Sequence, residues 1–329
     1  MKKILLILVI NLFQFLSAQQ SNPISGQTFF DFTYIADHYS SLQKSKNSFE
    51  TKRILVFYDK KFENSVNFRF GIEGNNSDFT PSGTYSMFLK ALFVEKTFEN
   101  NSSLQMGLFP VSTNAFDEKF WGNRFLDKVV IDRLGLGAPT DFGISYKGNL
   151  ISDLNFNLAV VNGNGIKPEN DKNKKILLAL QYKFSDNISM ELYNDYENVA
   201  NDKSRMTNKI TIGYSSKIFS TGFSGFQKNF KHLGYGVTDS LANGISLFSW
   251  YEIFENVRTI SRFDYYNKNS NNSVLPNTET YVLFGLDYLP DPKIHISPNI
   301  IFKQNDIGKD SNKKSFKETY FRLNVGIYF

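Results

Sequence analysis

A tight turn of the same composition recurs along this chain at nearly constant intervals. An aromatic residue ends one run, Asp, Glu or Asn follows, and a new β-rich run begins in "KFENSVNF" (61–68), "TFENNSSL" (97–104), "KFSDNISM" (183–190) and "IFENVRTI" (253–260). Such turns repeat every 35 or 36 residues over much of the chain. That interval holds two strands of about ten residues, one tight turn and one longer loop.

Between the turns, apolar and polar side chains alternate with a period of two. In the run after the first turn, the even-numbered positions are apolar (Val66, Phe68, Phe70 and Ile72). The odd-numbered positions carry polar residues or glycine (Asn67, Arg69, Gly71 and Glu73). A period of two is typical of strands, so helical repeats are excluded. A propeller blade is excluded as well, because it needs four strands in about 40–45 residues.

Sixteen strands can be placed in this way. They are predicted to begin near Gly26, Phe49, Ser65, Thr84, Ser102, Asp141, Leu154, Lys174, Ile188, Thr207, Gly222, Gly244, Val257, Glu279, Lys293 and Lys317. Short turns alternate with longer connections, which predicts an all-β fold: a transmembrane antiparallel up-and-down β-barrel of 16 strands, with 14 or 18 as alternatives. The fourth and eleventh strands alternate too weakly for their faces to be assigned.

The amino terminus has the pattern of a secretory signal peptide. Lys2 and Lys3 precede an apolar run (4–12), and Leu16-Ser17-Ala18 supplies a small-residue cleavage site. We therefore expect a signal peptide over 1–18 and a barrel domain over 19–329. The alternative, a membrane anchor, is disfavoured because the run is shorter than the ~20 residues that span a bilayer.

The composition agrees with a wall that is apolar outside and polar inside. Aromatic residues make up 16% of the chain, yet its mean hydropathy is −0.32. The absence of Cys excludes disulfides and thiolate metal sites. The net charge of +5 is too small for a nucleic-acid-binding protein, so no nucleic acid is expected as a partner.

The residues that face inward in the predicted strands are mostly polar, and basic residues outnumber acidic ones among them. The basic ones are Arg53, Arg69, Lys147, Lys175, Lys183, Lys209, Lys217, Arg258, Arg262, Lys303 and Arg322. The acidic ones are Asp31, Asp37, Glu73, Asp141, Glu191, Asp195 and Asp264. The basic excess predicts a pore lining that favours anions. The alternative is that these charges pair with one another and only keep the lumen wet.

The longest connection, 111–140, joins the fifth and sixth strands and is too apolar for an ordinary surface loop. We expect it to fold into the barrel and narrow it, anchored by Phe120, Trp121, Phe125, Val129 and Val130. The residues that would then point into the opening are Lys119, Arg124, Lys128 and Arg133. The alternative is an extracellular cap.

The chain ends on an alternating strand, "FRLNVGIYF". Its outward residues are Phe321, Leu323, Val325, Ile327 and Phe329. We expect this strand to close the barrel by pairing with the first strand near 29–34, because an unpaired edge is not tolerated in lipid. The pattern also resembles the signal that the outer-membrane assembly machinery reads.

The order of these parts resembles the phosphate-selective porin family, the O and P type, and its relatives in the Bacteroidetes. The matching pieces are "FETKRILVFYDKKFENSVNFRFGIE", "LQMGLFPVS", the long loop with Arg124 and Arg133, and "DFGISYKG". The resemblance implies a trimeric 16-stranded barrel that passes small anions. The long loop departs from the family because it lacks a dense basic ladder.

The predicted function is passive diffusion of small anionic or neutral solutes through the bacterial outer membrane, with weak anion preference. The alternative is a structural or ligand-binding barrel with a closed lumen. No cofactor is expected, and the partners are outer-membrane lipid and the assembly machinery. An enzyme is not expected, since the chain has three His residues and no G-x-S-x-G motif.

Overall fold

The computed structural model describes residues 23–74, 87–169, 171–200, 202–233, 239–268, 277–308 and 314–329. Its strands are β1 (Ile24–Asp37), β2 (Asn47–Phe62), β3 (Val66–Gly74), β4 (Phe88–Thr97), β5 (Ser103–Pro110), β6 (Thr140–Ile151), β7 (Leu154–Val161), β8 (Lys175–Lys183), β9 (Ile188–Ala200), β10 (Lys203–Ser215), β11 (Phe219–Lys231), β12 (Ser240–Phe254), β13 (Val257–Asn267), β14 (Asn277–Asp291), β15 (Ile294–Ile307) and β16 (Lys314–Tyr328). Two helices, α1 (Ser112–Trp121) and α2 (Val130–Arg133), lie between β5 and β6.

Each strand pairs with its neighbours in sequence, and β1 pairs with β16 to close the sheet. This confirms the predicted fold class and strand number, and every strand begins within four residues of its predicted start. The predicted signal peptide, 1–18, lies outside the described residues. Neither of the two helices in the described ranges is long and apolar enough to cross a membrane.

Asparagine explains three of the four recurring turns that the sequence shows. Asn64, Asn101 and Asn256 adopt left-handed backbone conformations, with φ of 58°, 60° and 62°. Asn tolerates this region better than other residues with a side chain. At the β2–β3 turn, Ser65 follows Asn64 with φ of 56°. Two successive residues of this kind give the backbone twist that joins adjacent antiparallel strands.

The carboxyl-terminal residue takes part in closing the barrel. The N–H of Gly26 donates to the Phe329 carbonyl at 2.9 Å, and the N–H of Phe329 donates back at 3.0 Å. The register runs from Phe29 opposite Gly326 to Tyr34 opposite Phe321, which confirms the predicted pairing. No strand edge is left at this seam.

The outer wall is apolar over most of its height. Large outward side chains with more than a third of their surface exposed include Val94, Ile144, Leu178, Ile212, Phe284 and Leu323. Exposed aromatic residues near the strand ends include Tyr58, Tyr182, Phe184, Tyr288 and Phe329. An apolar band bordered by aromatic rings is the surface that a barrel presents to lipid.

The inner wall is not polar throughout, and in this it differs from the prediction. Phe248, Ile260, Leu283 and Ile301 face inward and are 3% exposed or less. They form one buried cluster with side chains of the connection between β5 and β6. Apolar inward positions therefore occur where a segment inside the barrel covers them, a contact that the alternation of a single strand does not encode.

Candidate pore and constriction loop

The connection between β5 and β6, here called the inner loop (111–139), lies inside the barrel. Its helix α1 packs against strands β8 to β12. Gly122 ends this helix with a left-handed backbone (φ 63°), and its N–H donates to the Glu118 carbonyl at 3.0 Å. The predicted inward fold of the loop is confirmed by these contacts. The five predicted anchor residues, including Phe120, Trp121 and Phe125, are all 2% exposed or less.

Two glycines of the wall allow the loop to approach closely. A Cβ atom on Gly213 of β10 would lie 2.3 Å from the Phe120 ring. A Cβ on Gly326 of β16 would lie 2.7 Å from Phe125. Only a residue without a side chain fits at these points, so aromatic rings of the loop rest directly on the wall backbone.

A buried charge cluster fixes α1 to the wall. Lys209 Nζ donates to Asp117 Oδ1 at 2.8 Å and to the Thr113 carbonyl at 2.8 Å. Glu191 lies 3.3 Å from the same ammonium, and Thr211 Oγ1 donates to Asp117 at 2.5 Å. Lys209 was predicted to line the pore, but its side chain has no exposed surface. In this position it binds the loop to the wall.

A second ionic cluster fixes the end of the loop. Arg133 contacts Glu279 at 2.5 Å and Asp264 at 3.1 Å. Arg262 also binds Asp264, at 2.7 Å, and donates to the Lys128 carbonyl at 2.6 Å. The guanidinium groups of Arg133 and Arg262 are thus bound to carboxylates of the wall and do not project freely into the opening.

A third cluster belongs to the loop itself. Arg124 Nη1 lies 2.9 Å from Glu118 and 2.6 Å from Asp132. Burial inside the barrel raises the pKa of Glu118 above its ordinary value, and the charges of Arg124 and Arg53 oppose this only in part. Arg53 belongs to β2, a strand that α1 does not pack against.

On the opposite wall, Glu73 of β3 joins two bases. Arg53 contacts Glu73 at 3.1 Å, and Lys90 of β4 contacts it at 3.0 Å. Arg53 and Lys90 also oppose the rise in the pKa of Glu118, so this wall cluster adds positive charge near the loop. Sequence reasoning missed Lys90 because β4 alternates weakly and its pairing with β3 shifts register beyond Gly71.

Most of the other basic residues predicted to line the pore form ion pairs with carboxylates. Paired within 4 Å are Arg69–Asp59, Lys147–Glu95, Lys175–Asp195, Arg258–Glu252, Lys303–Glu279 and, at the β8–β9 turn, Lys183–Asp186. Lys217 lies in the turn between β10 and β11. Several of these ion pairs involve inward carboxylates that the prediction left out, such as Glu95 and Glu279. Their inward direction follows from the register of the folded sheet.

Among the basic residues predicted for the pore and the loop, three have no carboxylate within 4 Å in the described part of the chain. Lys119 is exposed, with its ammonium over the Phe116 and Phe120 rings at 5.8 Å and 5.2 Å. Arg322 lies over Tyr320 at 5.6 Å. Lys217 is the third. Lys128 is half exposed, and its ammonium lies 3.7 Å from Asp132.

Open space remains along the wall that the inner loop does not cover. A cavity of about 640 Å³ lies near the β2–β3 turn. Its lining combines the ion-paired Arg69 and Lys147 with Asn67, Gln105 and the Phe93 ring.

The His residues do not form a catalytic arrangement with one another. His38 lies 3.7 Å from Glu318 on the side of the long connections, and His232 lies next to Asp239. His295 is buried and bonds Asp287 at 2.8 Å beneath the Phe125 ring. In the described part of the chain, no group of three or more potential metal ligands is present.

Neither a protein-family model nor a curated protein matches this sequence. Solved structures do match. An anion-selective porin from Comamonas acidovorans has a TM-score of 0.67 at 14% identity, over 93% of this chain and 98% of that one. The outer-membrane channel DcaP of Acinetobacter baumannii has 0.67 at 12%, over 93% and 96%.

The outer-membrane protein OmpT of Vibrio cholerae, in a trimer form, has a TM-score of 0.66 at 10% identity, over 93% of this chain and 98% of that one. The chain has the porin fold. Its similarity to these proteins lies in the closed sheet of 16 strands, because only 10–14% of the residues are identical. In this porin fold, the inner loop is the connection between the fifth and sixth strands, and it divides the lumen into a packed side and an open side.

Proposed function

We propose that the protein is an outer-membrane porin that allows passive diffusion of small hydrophilic solutes, with a weak preference for anions. The observation that carries this proposal is the inner loop, which is bound to one side of the barrel and bears charges toward the other. A 16-stranded barrel is wide enough for an aqueous channel, and a loop inside it narrows that channel.

The location follows from the outer wall and the closed sheet. An apolar band bordered by aromatic rings suits a bilayer, and strands cross the bacterial outer membrane as closed barrels. We also propose that residues 1–18 direct export and that 19–329 form the mature barrel. The outward residues of β16, ending in Phe329, would then serve the assembly machinery.

The anion preference is proposed to be weak because most inward bases are neutralised. Carboxylates within 4 Å accompany Arg53, Arg69, Lys147, Lys175, Lys209 and Arg262. Bases without such partners, among them Lys119 and Arg322, supply the excess positive field. We also propose that the chain is a relative of the phosphate-selective porin family that has little selectivity for phosphate, because its inner loop lacks a dense basic ladder. We assign no enzymatic activity to the protein.

Planar bilayers under a salt gradient test the proposal. The purified protein should conduct, and its reversal potential should show a modest preference for chloride over potassium. Lys119→Gln should reduce that preference, because it removes an unpaired charge from the loop. Lys217→Gln is the matched control at a turn outside the lumen. A cation preference, or no conductance from the folded protein, would contradict the proposal.

A closed barrel with a structural or ligand-binding role is the second candidate. The tight packing of the inner loop against β8 to β12 favours it. Deletion of 114–137 distinguishes the two candidates. If the loop only narrows the pore, wild-type protein conducts and the deletion increases the conductance. If the lumen is closed, wild-type protein is silent and conductance appears only after the deletion.

A further inference from the structure

Two ion pairs line the open cavity beside the inner loop. Asp59 and Arg69 lie directly opposite each other on β2 and β3, and Glu95 of β4 pairs with Lys147 of β6. All four residues border the same space of about 640 Å³, which extends to Pro110 at the start of the inner loop. Sites for small molecules typically have volumes of about 300–1,000 Å³.

The first pair remains open to a solute. Asp59 and Arg69 each expose more than a third of their side chain. Arg69 donates to Asp59 through Nε at 2.7 Å and Nη2 at 2.9 Å, which uses two of the five N–H groups of the guanidinium. The Phe57 ring lies beneath the guanidinium, with its centroid 4.8 Å from Cζ, and supports it. Arg69 is therefore held in place and keeps donors for a second carboxylate.

Glu95 is the complementary acceptor. Its Oε1 accepts from Ser103 Oγ at 2.8 Å and lies 3.3 Å from Lys147 Nζ. A carboxylate has about four acceptor positions, so it can also bind an ammonium. Glu95 is directly opposite Asn67, and Arg69 is two residues further along β3 on the same face. Residues related in this way lie about 7–8 Å apart. In the described structure, no ion pair joins Arg69 to Glu95.

A solute with charge of one sign gains little in this cavity. An anion that approaches Arg69 or Lys147 also meets the carboxylate next to it, and a cation meets the opposite conflict. A zwitterion avoids both conflicts, because its carboxylate faces Arg69 while its ammonium faces Glu95. An α-amino acid carries the two groups on one carbon, so it fits between these neighbouring side chains. Phe93, directly opposite Arg69, adds an apolar surface for a short side chain.

Two more lysines border the cavity at its rim. Lys60 has the outward direction of Tyr58 and Phe62, which are exposed on the outer wall. Lys61 is itself exposed, next to the last residue of β2. Salt screens exposed charges more strongly than partly buried ones. The two lysines therefore add positive charge at the rim, and the contacts within the cavity remain those of the two ion pairs.

We propose that this cavity is a binding site for zwitterionic solutes of the α-amino acid class, in which Arg69 binds the carboxylate and Glu95 binds the ammonium. Asp59 and Lys147 are positioning residues that hold these two side chains. The site makes the channel favour amino acids over simple anions of the same size. The inference rests on the proposed function, since it specifies one class of small solute that diffuses through the lumen.

Saturation-transfer NMR in detergent micelles tests the site with alanine, propionate and ethylamine. Propionate lacks the ammonium of alanine, and ethylamine lacks its carboxylate. We expect the wild type to bind alanine about tenfold more tightly than either of the others, because each loses a hydrogen-bonded contact with a charged group. Equal binding of alanine and propionate, or of alanine and ethylamine, would overturn the proposal.

Substitutions that keep the net charge locate the site. Asp59→Asn with Arg69→Gln should abolish the preference for alanine. Lys183→Gln with Asp186→Asn removes an equivalent ion pair at the exposed β8–β9 turn, so it is the matched control and should keep the preference. Glu95→Gln should weaken the binding of alanine but not that of propionate. A preference retained by the first double variant, or lost in the control, would contradict the assignment.

Failure of the porin proposal gives a different result. The wild type would then not conduct in planar bilayers, whatever it binds. A conducting wild type that binds alanine no better than propionate overturns only the amino acid site. Heat-modifiable gel mobility reports whether each variant folds, and the comparison of the three solutes on the wild type decides the question even if a variant does not.

Discussion

Lys209 illustrates how the role of a single residue depends on its neighbours in space. Its ammonium is enclosed by Asp117, Glu191 and the Thr113 carbonyl. Lys209→Met leaves two carboxylates buried without their cation, and removal of one partner of a buried pair costs about 3–5 kcal/mol. We expect a lower unfolding temperature and faster proteolysis of the inner loop in the folded barrel. Lys217→Met, at an exposed turn, should change stability by about 0.5 kcal/mol or less. Equal behaviour of the two variants would contradict the anchoring role.

At the scale of the element, the inner loop is held by close contact with wall glycines. Gly213→Val places side-chain atoms where the Phe120 ring lies, and overpacking of this kind costs about 1–3 kcal/mol. We expect α1 to shift, which single-channel recordings would detect as a changed conductance with more frequent fluctuations. Phe120→Ala in the same chain should restore a steady conductance, since it removes the clash. If Gly213→Val behaves like the wild type, or the second change brings no recovery, the contact does not position the loop.

At the scale of the whole molecule, closure depends on the last residue. Phe329 forms two backbone hydrogen bonds with Gly26 and lies on the outer wall. Deletion of Phe329 should reduce the yield of assembled barrel in cell membranes several-fold, while the fraction that folds keeps its single-channel conductance. Phe302→Ala, on the outer face of β15, is the control and should assemble normally. A normal yield after deletion would show that the terminal residue is dispensable for assembly.

Much of the architecture could be predicted because the signals are local. The Asn-containing turns fix where hairpins bend, and the alternation of β3 or β8 shows which residues face outward. The positions of charges relative to one another could not be predicted in this way. Lys90 was missed because β4 shifts register, and Lys209 was placed in the pore because alternation shows a direction but not what covers the side chain.

The sequence by itself determined the strand number to within about two, the face that each clear strand presents and the strand that closes the barrel. Those features depend on residues that are close in sequence, through turn geometry and the two-residue period of a strand. Only the tertiary structure decided which charges pair and where the inner loop rests. These contacts join residues that are far apart along the chain, and their partners are set by register and by the path of the loop across the barrel.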